Sequence, residues 1–110
     1  MSRANDIARF VISYMNARGH VAWRNNTGGV FDPTAQRFRK GPASARGGGD
    51  VISCIKTGRY VEIEIKVGKD QQSEAQKDRE ARVRKAGGEY YIVHSQLEFL
   101  NLAIRKGWDK

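Results

Sequence analysis

Apolar residues recur at helical spacing at the start of the chain. Ile7, Val11, Tyr14 and Met15, with Phe10 beside them, predict a helix from Arg3 to Arg18, capped by Ser2 and stopped by Gly19. Val21, Ala22 and Trp23 read as a short strand, and Asn25-Asn26-Thr27-Gly28-Gly29 as a turn. From Asp32 to Gly49 the apolar period vanishes. That stretch holds two prolines, several glycines and the bases Arg37, Arg39, Lys40 and Arg46, and reads as a long mobile basic loop. Val51–Ile55 and the alternating segment Tyr60–Val67 predict an antiparallel hairpin around Thr57-Gly58-Arg59. Ser73 and Gln76 have capping-box spacing at the head of a helix that runs to Ala86, and Gly87-Gly88 ends it. Glu89–His94 is a further strand. Ser95 and Glu98 repeat the capping pattern before a last helix with Leu97, Leu100, Ala103 and Ile104 on its apolar face. This order predicts a single α/β domain over residues 1–110, a small mixed β-sheet flanked by helices.

Charge sharpens the picture. Twenty Lys and Arg against twelve Asp and Glu give a net charge of +8 in 110 residues. The basic residues are spread along the chain, which points to a folded surface for a polyanion rather than a basic arm. No stretch approaches the ~20 apolar residues of a membrane span, and no apolar leader follows Met1. Cys54 stands alone, so neither a disulfide framework nor a cysteine zinc site is available. Together these features predict a cytoplasmic protein. Cys54 reads as a small buried hydrophobe, Trp23 as core, and Trp108 as either a docking residue or part of a frayed tail. His20 and His94 lack ligand spacing and read as structural, which disfavours an HNH-type site.

The chemistry concentrates on Tyr60–Val67. Alternation sends Val61, Ile63, Ile65 and Val67 to one side and Glu62, Glu64 and Lys66 to the other. The hairpin brings Asp50, which follows three glycines, level with Glu64 and Lys66. Two carboxylates held together need a cation or a proton. A hard divalent ion takes such oxygens and keeps waters, with the Ile65 carbonyl as a further ligand. Gly47, Gly48 and Gly49 would let a phosphate backbone approach Asp50. The metal would polarise a phosphate oxygen and acidify a water, and Lys66 would orient that water or stabilise charge on the phosphorane-like transition state. Glu62 reads as a solvated neighbour.

Gly49-Asp50, a hairpin and then Glu64-Ile65-Lys66 resemble the PD-(D/E)XK nuclease signature, although Gly49 stands where that motif has proline. The wider order resembles the VRR-NUC branch of that superfamily, from about Asn5 to about Ile104. It comprises Trp23-Arg24-Asn25, a glycine turn, a basic loop, Asp50, Glu64-Ile65-Lys66, Ser73 with Gln76, and Gly87-Gly88 before a Tyr-rich strand. The resemblance implies a restriction-endonuclease-like core and a stand-alone endonuclease of phage or bacterial type. It implies dependence on Mg²⁺ or Mn²⁺, and a homodimer acting on branched DNA such as Holliday junctions. In its terms Asp50 and Glu64 hold the metal, Lys66 serves the attacking water, and Gln76 assists. Many relatives carry an acid in the first helix, where this chain offers Ala4, Asn5 and Asp6, with Asn5 or Asp6 as the substitute.

Arg24, Asn25, Arg37, Arg39, Lys40, Arg46, Lys77 and Arg84 are the expected DNA contacts. They imply binding that weakens steeply with salt. The alternatives are a non-catalytic nucleic-acid-binding module on a nuclease scaffold and a protein that binds an acidic partner without metal.

Overall fold

The computed structural model describes residues 3–25, 30–32, 34, 37–39 and 47–110. Helix α1 (Arg3–Ala17) buries Ile7, Ala8, Val11 and Met15. Strands follow at β1 (Val21–Arg24), β2 (Val30–Asp32), β3 (Arg37–Arg39), β4 (Val51–Cys54) and β5 (Tyr60–Ile65). The chain closes with α2 (Glu74–Lys85), β6 (Glu89–Val93) and α3 (Gln96–Lys106). One sheet has the order β1-β4-β5-β6, with β1, β4 and β5 antiparallel and β5 and β6 parallel. Parallel neighbours need a crossover, and α2 supplies it. The fold class read from the sequence is the one observed.

One face of the sheet meets α1 and α3. Ala22, Val51, Val61, Ile63, Ile65 and Val93 pack there against the α1 stripe and against Phe99, Leu102 and Ala103 of α3. Phe10, Tyr14 and Phe99 add edge-on ring contacts. Trp108 docks into this core, its N–H donating to the Ala103 carbonyl just after the left-handed Gly107 cap. His20 is structural as expected. Its Nδ1 accepts from the Lys56 N–H at 3.1 Å, which leaves Nε2 to donate to the Trp108 carbonyl at 2.9 Å.

Three expectations are corrected here. The segment from Asp32 to Gly49 is not wholly a loop, because Arg37–Arg39 pairs with Val30–Asp32 as a two-stranded ribbon. Short strands with no long apolar run carry too little periodicity to be seen in sequence. Trp23 is not core. It stands on the edge strand β1, on the face away from α1, and is 47% exposed. Cys54 shares that face and is likewise exposed.

Candidate active site

The second face of the sheet holds the titratable groups. Val51 pairs with Ile63, so Asp50 falls opposite Glu64, as the hairpin arithmetic required. The Ile65 N–H donates to Asp50 Oδ2 at 2.6 Å, which pins the carboxylate at the end of β5. Asn25 fixes the main chain from the other side. Its N–H donates to the Asp50 carbonyl and its side-chain amide donates to the Gly49 carbonyl, both at 2.9 Å. Asn25 thus clamps the backbone on either side of Asp50, with one amide hydrogen committed to a main-chain acceptor.

Glu64 is 1% exposed. Its Oε1 accepts a hydrogen bond from the Tyr90 hydroxyl, which also lies 3.2 Å from the Gly47 carbonyl oxygen. Its Oε2 is buried with no hydrogen-bond partner, and the Lys66 ammonium is 3.5 Å away. Burial raises the Glu64 carboxyl above its ordinary range and the Asp50 charge adds to this, while Tyr90 and Lys66 pull the other way. A cation between Asp50 and Glu64 would relieve that repulsion. The donor set of two carboxylates, one with a free buried oxygen, fits a hard divalent ion that keeps several waters. Among the described residues no group of three or more His, Cys, Asp or Glu side chains could hold a metal.

Two of the glycines before Asp50 also serve the packing of the chain itself. A Cβ on Gly47 (φ +75°) would fall 2.2 Å from the Ala75 carbonyl oxygen, and one on Gly49 would sit 3.0 Å from the Ile63 backbone. They let the chain press against α2 and β5, which seats Asp50.

Glu62 is the largest correction. It is 0% exposed rather than solvated. Arg79 on α2 donates to its Oε2 from Nε and Nη2, at 3.2 and 2.8 Å. The Gly49 N–H donates to Oε1 at 2.9 Å, and the Tyr60 hydroxyl donates to Oε2. Burial opposes the Glu62 charge, yet these donors outweigh it and hold the carboxyl below its ordinary range. Tyr60 responds in the opposite sense: burial and its acidic partner push its hydroxyl up to about 12. Tyr90, the hydroxyl that steadies Glu64, has no sequence signal beyond its place in the Tyr-rich strand after Gly87-Gly88.

The remaining candidates scatter. Gln76 completes a capping box with Ser73: the Ser73 N–H donates to its Oε1 at 2.8 Å, and its own N–H donates to Ser73 Oγ at 3.1 Å. Asn5 accepts from Arg24 across α1 and β1. Asp6 instead lines a cavity with Arg3, Ile7, His94, Ser95 and Gln96. Lys77 is exposed, 3.4 Å from Glu74. Arg84 is engaged by Glu80 at 3.0 Å and by the Tyr90 carbonyl. Arg37 and Arg39 lie on β3, whereas Lys40 and Arg46 fall outside the described residues.

No protein-family model matches the sequence, and no curated protein matches it. A solved structure described as a VRR_NUC domain does match in fold. It superposes with a TM-score of 0.68 over 96% of this chain and 97% of its own, at 16% sequence identity. The chain thus has the fold of a VRR_NUC domain, and no helix among its described residues is long and apolar enough to cross a membrane.

Proposed function

We propose that the chain is a metal-dependent DNA endonuclease of the PD-(D/E)XK type. The observation that carries this reading is the buried, unpartnered Glu64 Oε2 beside Lys66 and opposite Asp50. Asp50 and Glu64, with the Ile65 carbonyl, would hold Mg²⁺ or Mn²⁺. When bound, the ion supplies Lewis-acid polarisation of the scissile phosphate. Lys66 orients the attacking water and offsets charge gathering on the phosphate oxygens. Tyr90 and the Ile65 N–H keep the two carboxylates in place. Gln76 commits its amide oxygen to the Ser73 N–H, which leaves its amide nitrogen to meet a phosphate. The net charge of +8 supports DNA as the polyanion. Branched DNA such as a Holliday junction, cut by a homodimer, is the substrate and assembly we infer from the resemblance.

The test is cleavage of a labelled four-way junction and a matching linear duplex with Mg²⁺ or Mn²⁺. Cutting is expected to stop with EDTA and in Lys66→Ala. Cutting by that variant at the wild-type rate would remove Lys66 from the chemistry. One observation favours a second reading, a binding module without turnover: Asn5 is tied to Arg24 where relatives carry an acid. That reading predicts salt-dependent DNA binding with no product under either metal.

A further inference from the structure

The face that carries Asp50 and Glu64 is only partly covered. Helix α2 lies over β6 and reaches Glu62 through Arg79. Towards β1 the same face exposes Trp23, Val21 and Cys54 among the described residues, with Ile52 buried between them. The strand register sets Trp23, Ile52, Glu62 and Tyr90 in one row, and Val21, Cys54 and Tyr60 in the next. Trp23 is 47% and Tyr60 40% exposed, and both rings project from this face. Asp50 lies two residues beyond Ile52, the partner of Trp23, so the ring stands about 7–8 Å diagonally from the carboxylate strand position. Tyr60 lies four residues before Glu64, roughly 13 Å along β5. Between Tyr60 and α2 runs an open cleft of about 400 Å³, lined by Tyr60, Arg79, Arg82, Val83, Ala86 and Gly88.

Two exposed aromatic rings on a sheet, with guanidinium groups along one wall, match the chemistry of unstacked nucleobases and their phosphates. Every base has a π-face for the rings, and a strand brings phosphates to Arg82, whose half-exposed guanidinium pairs with Asp78 at 3.9 Å. The Tyr60 ring is pre-positioned, because its hydroxyl is anchored on Glu62. A purely apolar partner would leave Arg82 and the positive surface unmatched.

We propose that this half-face is a stacking platform for unpaired bases of the strand that continues from the carboxylate centre, with Trp23 and Tyr60 taking bases and Arg82 a phosphate. The proposal rests on the nuclease reading and narrows its branched substrate to DNA with a single-stranded segment beside the cut, in place of a fully paired four-way junction.

The chain has two tryptophans, and Trp108 is 3% exposed, so Trp23 is the fluorophore a ligand can reach. The protein, in EDTA, is titrated with single-stranded oligothymidylate and with a blunt duplex of equal length. The single strand is expected to quench fluorescence, and the quench to vanish in Trp23→Phe. Trp23→Ala and Tyr60→Ala should each weaken single-strand binding roughly tenfold and duplex binding less than about twofold, while Tyr60→Phe, which keeps the ring and loses its anchor on Glu62, should fall between Tyr60→Ala and wild type. Arg82→Ala should lower the salt slope by about one contact. Equal losses on both substrates, or no quench, would overturn the platform. So would a concentration-dependent dimer lost in Trp23→Ala, because the face would then belong to a second copy. Metal-dependent cutting without a stacking signal removes the platform alone. A stacking signal without cutting on any substrate removes the nuclease reading alone.

Discussion

Glu62 and Glu64 stand two residues apart on β5, face the same side and are both buried, yet their surroundings differ. Glu62 receives Arg79, Tyr60 and the Gly49 N–H, so both of its oxygens are occupied. Glu64 receives Tyr90 on one oxygen and keeps the other without a donor. Their ionisation moves in opposite directions, down for Glu62 and up for Glu64. A buried carboxylate that only supports a fold saturates its lone pairs, since each unpaired one costs desolvation energy. One kept with an open oxygen, near a second acid and an ammonium, is arranged for something that arrives later. The contrast separates a carboxylate that supports the fold from the one we propose as reactive, on a single strand.

The strongest way to break this comparison is to remove the reactive partners. Lys66→Ala and Glu64→Gln should each lower cleavage by at least about 10²- to 10³-fold. Thermal melting of Glu64→Gln should stay near wild type, because the amide oxygen can still accept from the Tyr90 hydroxyl and a buried charge is removed. Calorimetry with Mn²⁺ should show weakened binding in Glu64→Gln and in Asp50→Asn. A large fall in melting temperature instead would assign Glu64 to the support of the fold.

Glu62 should behave in the reverse way. Glu62→Ala leaves the half-buried Arg79 without its carboxylate and releases the Gly49 N–H. The expected cost is about 3 kcal/mol, set at the low end for broken buried pairs because Arg79 keeps some solvent access. Denaturant unfolding measures it. A loss under about 0.5 kcal/mol would place the Glu62 pair with surface pairs of little consequence.

Why was one member of this contrast legible in sequence and the other not? The meeting of Asp50 and Glu64 follows from a short hairpin, whose register is set by local turn chemistry. The same arithmetic placed Lys66. Glu62 obeys the alternation equally well, but alternation tells only which face a residue takes, not what lies over that face. Its cover is Arg79, on a helix whose sole buried residue is Val83 and whose apolar stripe is correspondingly faint. Trp23 illustrates the converse: a large aromatic in a strand pattern reads as core unless the strand is known to be an edge. Asn25 and the glycines stand out in the sequence, but their partners within the fold do not: Asn25 bonds the Gly49 carbonyl and the Gly49 N–H bonds Glu62, long-range pairings without a sequence signature.

pH sharpens the contrast further. The folded-state Glu62 carboxyl sits below its unfolded value, so its pair contributes stability above the ordinary carboxylate range. That contribution is lost as pH falls through the lowered folded-state value. Wild type and Arg79→Ala should therefore differ most in melting temperature near neutrality and converge in acid. A gap that stays constant across the range would mean that the ion pair does not carry the effect.

The smallest effect concerns Gln76, which lies between the two roles. Ser73→Ala removes the acceptor for the Gln76 N–H and should cost about 1 kcal/mol. Gln76→Ala removes the reciprocal bond and should cost about 0.5 kcal/mol, since the freed Ser73 N–H is solvent-accessible. Stability alone cannot separate a cap from a substrate contact, so the two variants are compared in cleavage at a temperature where both are fully folded. If the Gln76 amide nitrogen meets a phosphate, Gln76→Ala should cut about tenfold more slowly than Ser73→Ala, the scale of one hydrogen bond to a charged group. Equal rates would assign Gln76 to the helix cap alone and leave Asp50, Glu64 and Lys66 as the whole reactive set.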